Sequence, residues 1–285
     1  AMVRADGVTA AARGEAGIAW GSKKLKAIAV RGTGRVPVHN LPAVMEACDQ
    51  WRNALYAHEI PPPRRQASAV SPQSHGTVRG NIPGKNFTDP DFQISWSERW
   101  HRDASKWKVR PVGSFNCDMS CHHETVVTTG PLAGAVVTGY GGEVVAEVGP
   151  NLGIEDPGVA LALSGLVDGL GLSAGEVVRN IAMAMEGYNT GRLTREQVDG
   201  LDLSWGNYEA VIELLHKAVR REGVGAALAK PPREAGRALG IEDLAVHMKG
   251  TGFNDHDMRI HPGMVFQTLV VSGAGPAWQT ELQFE

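Results

Sequence analysis

Sulfur is scarce in this sequence: three cysteines occur in 285 residues, and Cys48 stands far from Cys117 and Cys121. An odd count with no secretory leader fits a reducing cytoplasm. Long apolar runs are also missing. No stretch approaches the roughly 20 residues that cross a bilayer, and no signal-peptide pattern opens the chain, so no membrane partner is expected. Neither sign of charge dominates. The formal net charge is −3 with acids and bases interspersed, which excludes an electrostatic footprint for nucleic acid. Met2, preceded by one alanine that reads as the remnant of a cleaved tag, is expected to start a short natural protein. The length allows one large domain or two small ones around a substantial core.

What the chain does have is helical periodicity. Before it comes one strand candidate, Leu25-Lys26-Ala27-Ile28-Ala29-Val30, entered through Gly21-Ser22 and closed by Gly32-Thr33-Gly34. Asn40 is the expected N-cap, with Pro42 in the first turn, of a helix over Leu41–Tyr56. In that helix Cys48 reads as a small buried apolar residue. Seven of the sixteen prolines fall between 60 and 113, so this segment is expected to be loop-rich, with one aromatic helix at Trp96–Trp107. From residue 155 the pattern is plain. Asp156-Pro157 opens a helix with Val159, Leu161, Leu163, Leu166 and Val167 on its apolar face, stopped by Gly169 and Gly171. Ser173 and Glu176 form a predicted capping box for the next helix, which runs to Gly191. A short turn begins at Thr194. A helix over Asn207–Glu222 turns Val211, Leu214, Leu215 and Val219 inward, and one more over Gly225–Leu239 is bent or delayed by Pro231-Pro232. The expected fold class is mainly α, with a small β element at the N-terminus.

Several ordered segments resemble one family. Gly14-Glu15-Ala16-Gly17-Ile18-Ala19-Trp20-Gly21-Ser22-Lys23-Lys24-Leu25-Lys26-Ala27-Ile28-Ala29-Val30-Arg31-Gly32 is similar to the segment that closes the first domain of the aldehyde ferredoxin oxidoreductases. Ile82-Pro83-Gly84-Lys85-Asn86-Phe87 resembles that family's Leu-Pro-x-x-Asn-Phe element. Gly149-Pro150-Asn151-Leu152-Gly153-Ile154-Glu155-Asp156 resembles its Gly-Pro-Asn-x-Gly-Ile-x-Asp turn. Gly191-Arg192-Leu193-Thr194, Asp199-Gly200-Leu201, Trp205-Gly206-Asn207, Arg221-Glu222-Gly223-Val224-Gly225 and Lys249-Gly250 follow in family order. The resemblance implies the end of the family's first domain over 1–40, a helical domain over 41–248 with its loop-rich part at 60–113, and the opening of a third domain over 249–285. It also implies a relation to enzymes that hold a tungsten or molybdenum pterin and a four-iron cluster, with most of the β platform for the pterin missing.

At the positions that would carry redox chemistry the residues depart from the family. Ser114, Cys117 and Cys121 fall where the resemblance puts three cluster cysteines, and the fourth cysteine of the family has no counterpart. A serine hydroxyl is a poor iron ligand compared with a thiolate. The pterin motif Asp-x-x-Gly-Leu-Asp becomes Asp168-Gly169-Leu170-Gly171-Leu172-Ser173, which keeps the first carboxylate only. Gly141-Gly142-Glu143-Val144 stands for Glu-Tyr-Glu-Thr, and Trp278 stands near the place of a metal-side histidine.

The expected cofactor set is therefore none, the alternatives being tungsten or molybdenum pterin with a four-iron cluster completed by a partner, or zinc on Cys117, Cys121 and His122. The same cysteines also read as relict core thiols or as a disulfide or reactive pair. Glu143, Asp168, His256 and Asp257 are the candidate catalytic residues, and Arg259, Trp278 and Trp100 the candidate substrate-binding ones. Each has a plainer reading: a helix-end or solvated carboxylate for Glu143 and Asp168, a loop ion-pair network for Asp255, His256, Asp257 and Arg259, and a core position for Trp96, Trp100 and Trp107. The favoured expectation is a cofactor-independent enzyme of bacterial specialised metabolism. It would cyclise or isomerise a small organic substrate in the former pterin cavity. An oxidoreductase subunit completed by a partner and a non-catalytic helical assembly domain are the alternatives, and a homodimer is one assembly considered.

Overall fold

A computed structural model describes residues 1–5, 7, 9–11, 16–57, 82–112, 122–139, 142–250, 252, 257 and 262–270. Strands β1 (Val3–Ala5) and β2 (Thr9–Ala11) pair antiparallel as a hairpin, followed by helices α1 (Ala16–Ser22), α2 (Leu41–Ala57) and α3 (Phe92–Arg102). Strands β3 (Trp107–Val112), β4 (His122–Val127) and β5 (Val136–Gly139) then form an antiparallel sheet in that order. Helices α4 (Gly142–Val148), α5 (Pro157–Gly169), α6 (Arg179–Asn189), α7 (Tyr208–Arg220), α8 (Gly225–Leu228), α9 (Pro232–Leu239) and α10 (Pro262–Val270) complete the order. The fold is mainly α with a small β element at its N-terminus, as the sequence predicts, and it adds the sheet β3-β4-β5, which the sequence reading does not contain.

The core forms around α5. Asp156 accepts a hydrogen bond from the Gly158 N–H at 2.7 Å, and Pro157, which has no N–H to satisfy, takes the first turn. Residues 157–164 are buried on every side, as expected of a helix apolar all round. Gly165 lets β5 lie close: a Cβ there would sit 3.1 Å from Val137 Cγ2. Helix α7 shows the ordinary amphipathic arrangement. Asn207 caps it by accepting from the Ala210 N–H, and Ala210, Val211, Leu214, Leu215 and Ala218 are buried. Val219, expected inward, is 45% exposed because it lies one position beyond that stripe. Pro231 divides the expected 225–239 helix into α8 and α9. Among the described residues no single helix is long and apolar enough to cross a membrane.

Four local expectations need correction. The segment Leu25–Val30 belongs to no sheet, since no strand pairs with it among the described residues. The aromatic helix spans Phe92–Arg102, and Trp107 opens β3 instead of ending the helix. Cys48 is half-buried rather than buried, on a helix whose neighbouring described residues are exposed. The capping box fails as well. Residues Ala174–Val178 form a π-helical turn, with i→i+5 hydrogen bonds, that runs into α6. Ser173 stands at its N-cap without a side-chain cap bond, and the Glu176 carboxylate accepts from the Gly252 N–H at 3.0 Å.

Candidate functional site

The last turn of α5 carries Asp168, after which Gly171 reverses the chain at φ +69°. The N-terminal hairpin lies across this helix end. The Met2 N–H donates to the Gly171 carbonyl at 3.1 Å. Arg4 Nη2 donates to the Thr138 carbonyl of β5 at 3.2 Å and to the Gly7 carbonyl at 2.6 Å. Asp168 is left half-buried. Burial pushes its carboxyl above the ordinary value, and the Arg4 charge opposes that rise. A carboxyl group that keeps its proton to higher pH, in the field of a guanidinium, suits proton donation to a bound oxygen or carbon.

The same desolvation has a consequence for folding. Unfolding returns the carboxyl to its ordinary value, so the folded chain binds more protons across the window between the two values, and stability falls as pH rises through it. Asp168→Asn removes the desolvated charge. The variant is expected to melt higher than the parent at neutral pH, with the gap closing below the ordinary carboxyl range. Thermal melts across an acid-to-neutral series check this, and a variant that melts lower at every pH contradicts it.

The other candidate residues are placed as follows. Glu143 enters in the first turn of α4, shortly after β5 ends, and its side chain lies outside the described residues. Ser173 is buried at the start of the π turn, next along the chain from the Asp168 helix end. Gly252 lies against that turn so closely that a Cβ on it would collide with the Gly175 carbonyl oxygen. Asp257 is buried. His256, Arg259, Trp278, Cys117 and Cys121 lie outside the described residues. Trp100 is 5% exposed and sits between Trp96 and Trp107, with ring centroids 5.5 and 4.7 Å away. That is a core position, so Trp100 is withdrawn as a substrate-binding wall. His122 is buried at the start of β4, opposite Val112, and no group of three or more metal-type ligands occurs among the described residues. Two surface clefts, of about 590 and 380 Å³, are lined by Arg237, Gly240, Glu242 and Asp243 and by residues around Glu155 and Trp205. Neither includes Asp168.

Sequence reasoning passed over a polar network inside the core. Arg179, at the start of α6, is 1% exposed and pairs with the fully buried Glu147 of α4, Nε–Oε1 3.0 Å and Nη2–Oε1 2.5 Å. Asn151 Nδ2 donates to the second Glu147 oxygen at 2.9 Å, and the Phe87 ring centre lies 5.1 Å from the Arg179 guanidinium carbon. Beside it, Asn86 Nδ2 donates to Glu186 Oε2 at 2.5 Å and to the Leu244 carbonyl at 3.0 Å. Lys85, Asn86 and Phe87 all have positive φ, 45°, 55° and 65°, a costly conformation that these contacts hold in place. The available signal was the interruption of two apolar runs, Val144-Val145-Ala146-Glu147-Val148 and Val177-Val178-Arg179-Asn180-Ile181. The network also explains two of the resemblance motifs, since the Asn86 N–H donates to the Asn151 carbonyl at 3.1 Å. A second pair of motifs meets where the Gly206 N–H donates to the Leu152 carbonyl at 3.0 Å.

The family described as aldehyde ferredoxin oxidoreductase, domains 2 & 3, matches residues 46–278. The chain is 28% identical over 266 residues to an aliphatic sulfonate oxidoreductase, WOR-like subunit, of Pyrococcus furiosus, covering 88% of this chain and 41% of that protein. It is 30% identical over 265 residues to a tungsten-containing aldehyde ferredoxin oxidoreductase of Pyrococcus furiosus, covering 91% and 42%. The chain thus spans about two fifths of the length of these relatives. Among solved structures, the active site complex BamBC of benzoyl coenzyme A reductase with 1,5-dienoyl-CoA matches with a TM-score of 0.69 at 24% identity, covering 87% of this chain and 39% of that one. That likeness is one of fold.

Proposed function

Because the chain belongs to the aldehyde ferredoxin oxidoreductase family and yet carries serine where a thiolate and a carboxylate are called for, we propose that it keeps the scaffold for non-redox chemistry. The reaction is acid–base catalysis of a cyclisation, isomerisation or related step on a small organic substrate held beside Asp168. One observation carries this reading. Of the two pterin carboxylates the resemblance implies, Asp168 survives in a desolvated setting and its counterpart is the buried Ser173.

The residues present do not fit the family's two groups. A hydroxyl at 114 is harder and far less readily deprotonated than the thiolate a cluster iron takes. Ser173 brings no charge to a pterin, and Gly141 brings no side chain at all, so two of the four carboxylates that the resemblance implies are lost. In the proposed step Asp168 gives its proton to a substrate carbonyl oxygen or carbon and takes one back as the double bond moves or the ring closes. The carboxyl ends as it began, and no electrons are exchanged. Arg4 steadies negative charge that develops on the substrate oxygen, and Glu143, His256 and Asp257 are the further candidates for the second proton transfer.

A second reading is favoured by the names of the relatives, which are oxidoreductases, and by their greater length: this chain would then be one part of a redox enzyme whose remainder lies in another polypeptide. Elemental analysis with an ultraviolet–visible spectrum of protein purified without air separates the two. The expected result is a colourless sample without stoichiometric tungsten, molybdenum or iron. A brown protein, or tungsten or molybdenum at one per chain, would sink the acid–base reading.

A further inference from the structure

The two resemblance motifs that meet at the Gly206–Leu152 hydrogen bond also build a cleft that the chemistry at Asp168 does not use. Both turns hold a glycine in the left-handed region, Gly153 at φ +68° and Gly206 at φ +84°. A Cβ on Gly206 would lie 2.8 Å from the Gly153 carbonyl oxygen, and one on Gly153 would lie 3.0 Å from Trp205 Cβ. Only turns free of side chains at these two places can dovetail so closely. Their approach brings Trp205 and Tyr208 into one cleft of about 380 Å³ with Ile154, Glu155, Asp156 and Val159. Every residue that lines it falls within 131–208, and none is a base.

The charges nearby are already matched, with one exception. Arg99 is spent on Glu155 at 3.3 Å, and Arg102, whose charge Asp156 feels, pairs with Asp103 at 2.9 Å. One oxygen of Asp156 accepts from the Gly158 N–H, and no described group donates to the other. A hydrogen bond to Glu209 chiefly holds the Tyr208 phenol above its ordinary value, and the Asp156 charge adds to that rise. The field in the cleft is therefore negative. We propose that this cleft binds a small protonated amine, its ammonium on the open Asp156 oxygen and its carbon chain against Trp205, Ile154 and Val159. Aromatic faces attract an ammonium and accept its methylenes. A hard metal ion would lose water here and gain few oxygens. Asp156 precedes the first turn of α5 and Asp168 lies in its last, so this proposal and the chemistry assigned to Asp168 fail separately.

Calorimetric titration of the whole chain tests it, with butylammonium as probe and butanol, butyrate and potassium ion as controls. Butylammonium is expected to saturate at one per chain, more weakly at high salt, while the three controls give no saturable heat. The amide resonances of Gly153 and Gly206 are expected to shift with the same midpoint. Asp156→Asn keeps an oxygen to accept from the Gly158 N–H, and so keeps the helix start, but removes the charge. It is expected to weaken the amine about tenfold or more, and Trp205→Leu about fivefold. Equal binding of butanol, an unchanged affinity in Asp156→Asn, or no saturable binding of the amine overturns the proposal. So does a lysine-bearing peptide that binds where the free amine does not, which would assign the cleft to a protein partner.

Discussion

Arg179→Met is expected to cost about 3–5 kcal/mol of folding stability, read as a lower urea midpoint with an unchanged slope. The reason is the asymmetry of buried ion pairs. Removing the guanidinium takes the Arg179 charge away from a Glu147 side chain at 0% exposure, with the Asn151 amide still donating to it. The loss also frees the Phe87 ring and weakens the left-handed run at Lys85–Phe87 that packs on it. Replacing both partners separates the pair from its surroundings. Arg179→Met with Glu147→Leu is expected to regain most of the loss, because two well-packed apolar side chains carry no desolvation cost. A single variant within about 1 kcal/mol of the parent would show that water or a protonated glutamate takes over the role of the arginine.

Trp96→Ala is expected to have an effect of similar size, about 3–5 kcal/mol. Trp96 is 1% exposed, stacks on Trp100 and donates from Nε1 to the Ile154 carbonyl at 2.8 Å. It fixes α3 to the turn that precedes α5, and Gly149 is small enough to admit it: a Cβ there would lie 2.8 Å from Trp96 Cζ2. Trp96→Phe retains most of the packing and loses the indole donor, so about 1–2 kcal/mol is expected. Near-ultraviolet circular dichroism should collapse in the alanine variant and only weaken in the phenylalanine one. Equal losses in both would place the energy in the hydrogen bond rather than in the ring.

Local chemistry made much of the helical fold readable. Asn40, Asp156 and Asn207 announce helix starts through side chains that accept backbone N–H groups, and Thr194 with Gln197 forms the reciprocal bonds of a capping box. The sheet was hidden because its inward residues are polar. In β4 it is His122, His123 and Thr125 that are buried along with Val127, so no hydrophobic alternation marks the strand. Leu25–Val30 shows the opposite failure. Its pattern suits a strand, but a strand exists only where a neighbour pairs with it, and sequence pattern carries no information about that neighbour. Glu147 and Arg179 were passed over because charged residues usually face water, and their pairing spans 32 positions. For the site, the position of Asp168 was legible from the motif. Its desolvation was not, because the strand that lies across this helix end is more than 160 residues away in sequence, at Met2 and Arg4.

The widened turn at Ala174–Val178 slips the angular phase of everything after it. Projecting residues 174–189 onto a single helical wheel would point Glu176 the wrong way, whereas it reaches across to Gly252. Deleting one residue here would restore ordinary pitch and swing that carboxylate off its tether, loosening Gly252 where it lies against Gly175. This margin of the site is therefore more sensitive to changes in chain length than to changes of side chain.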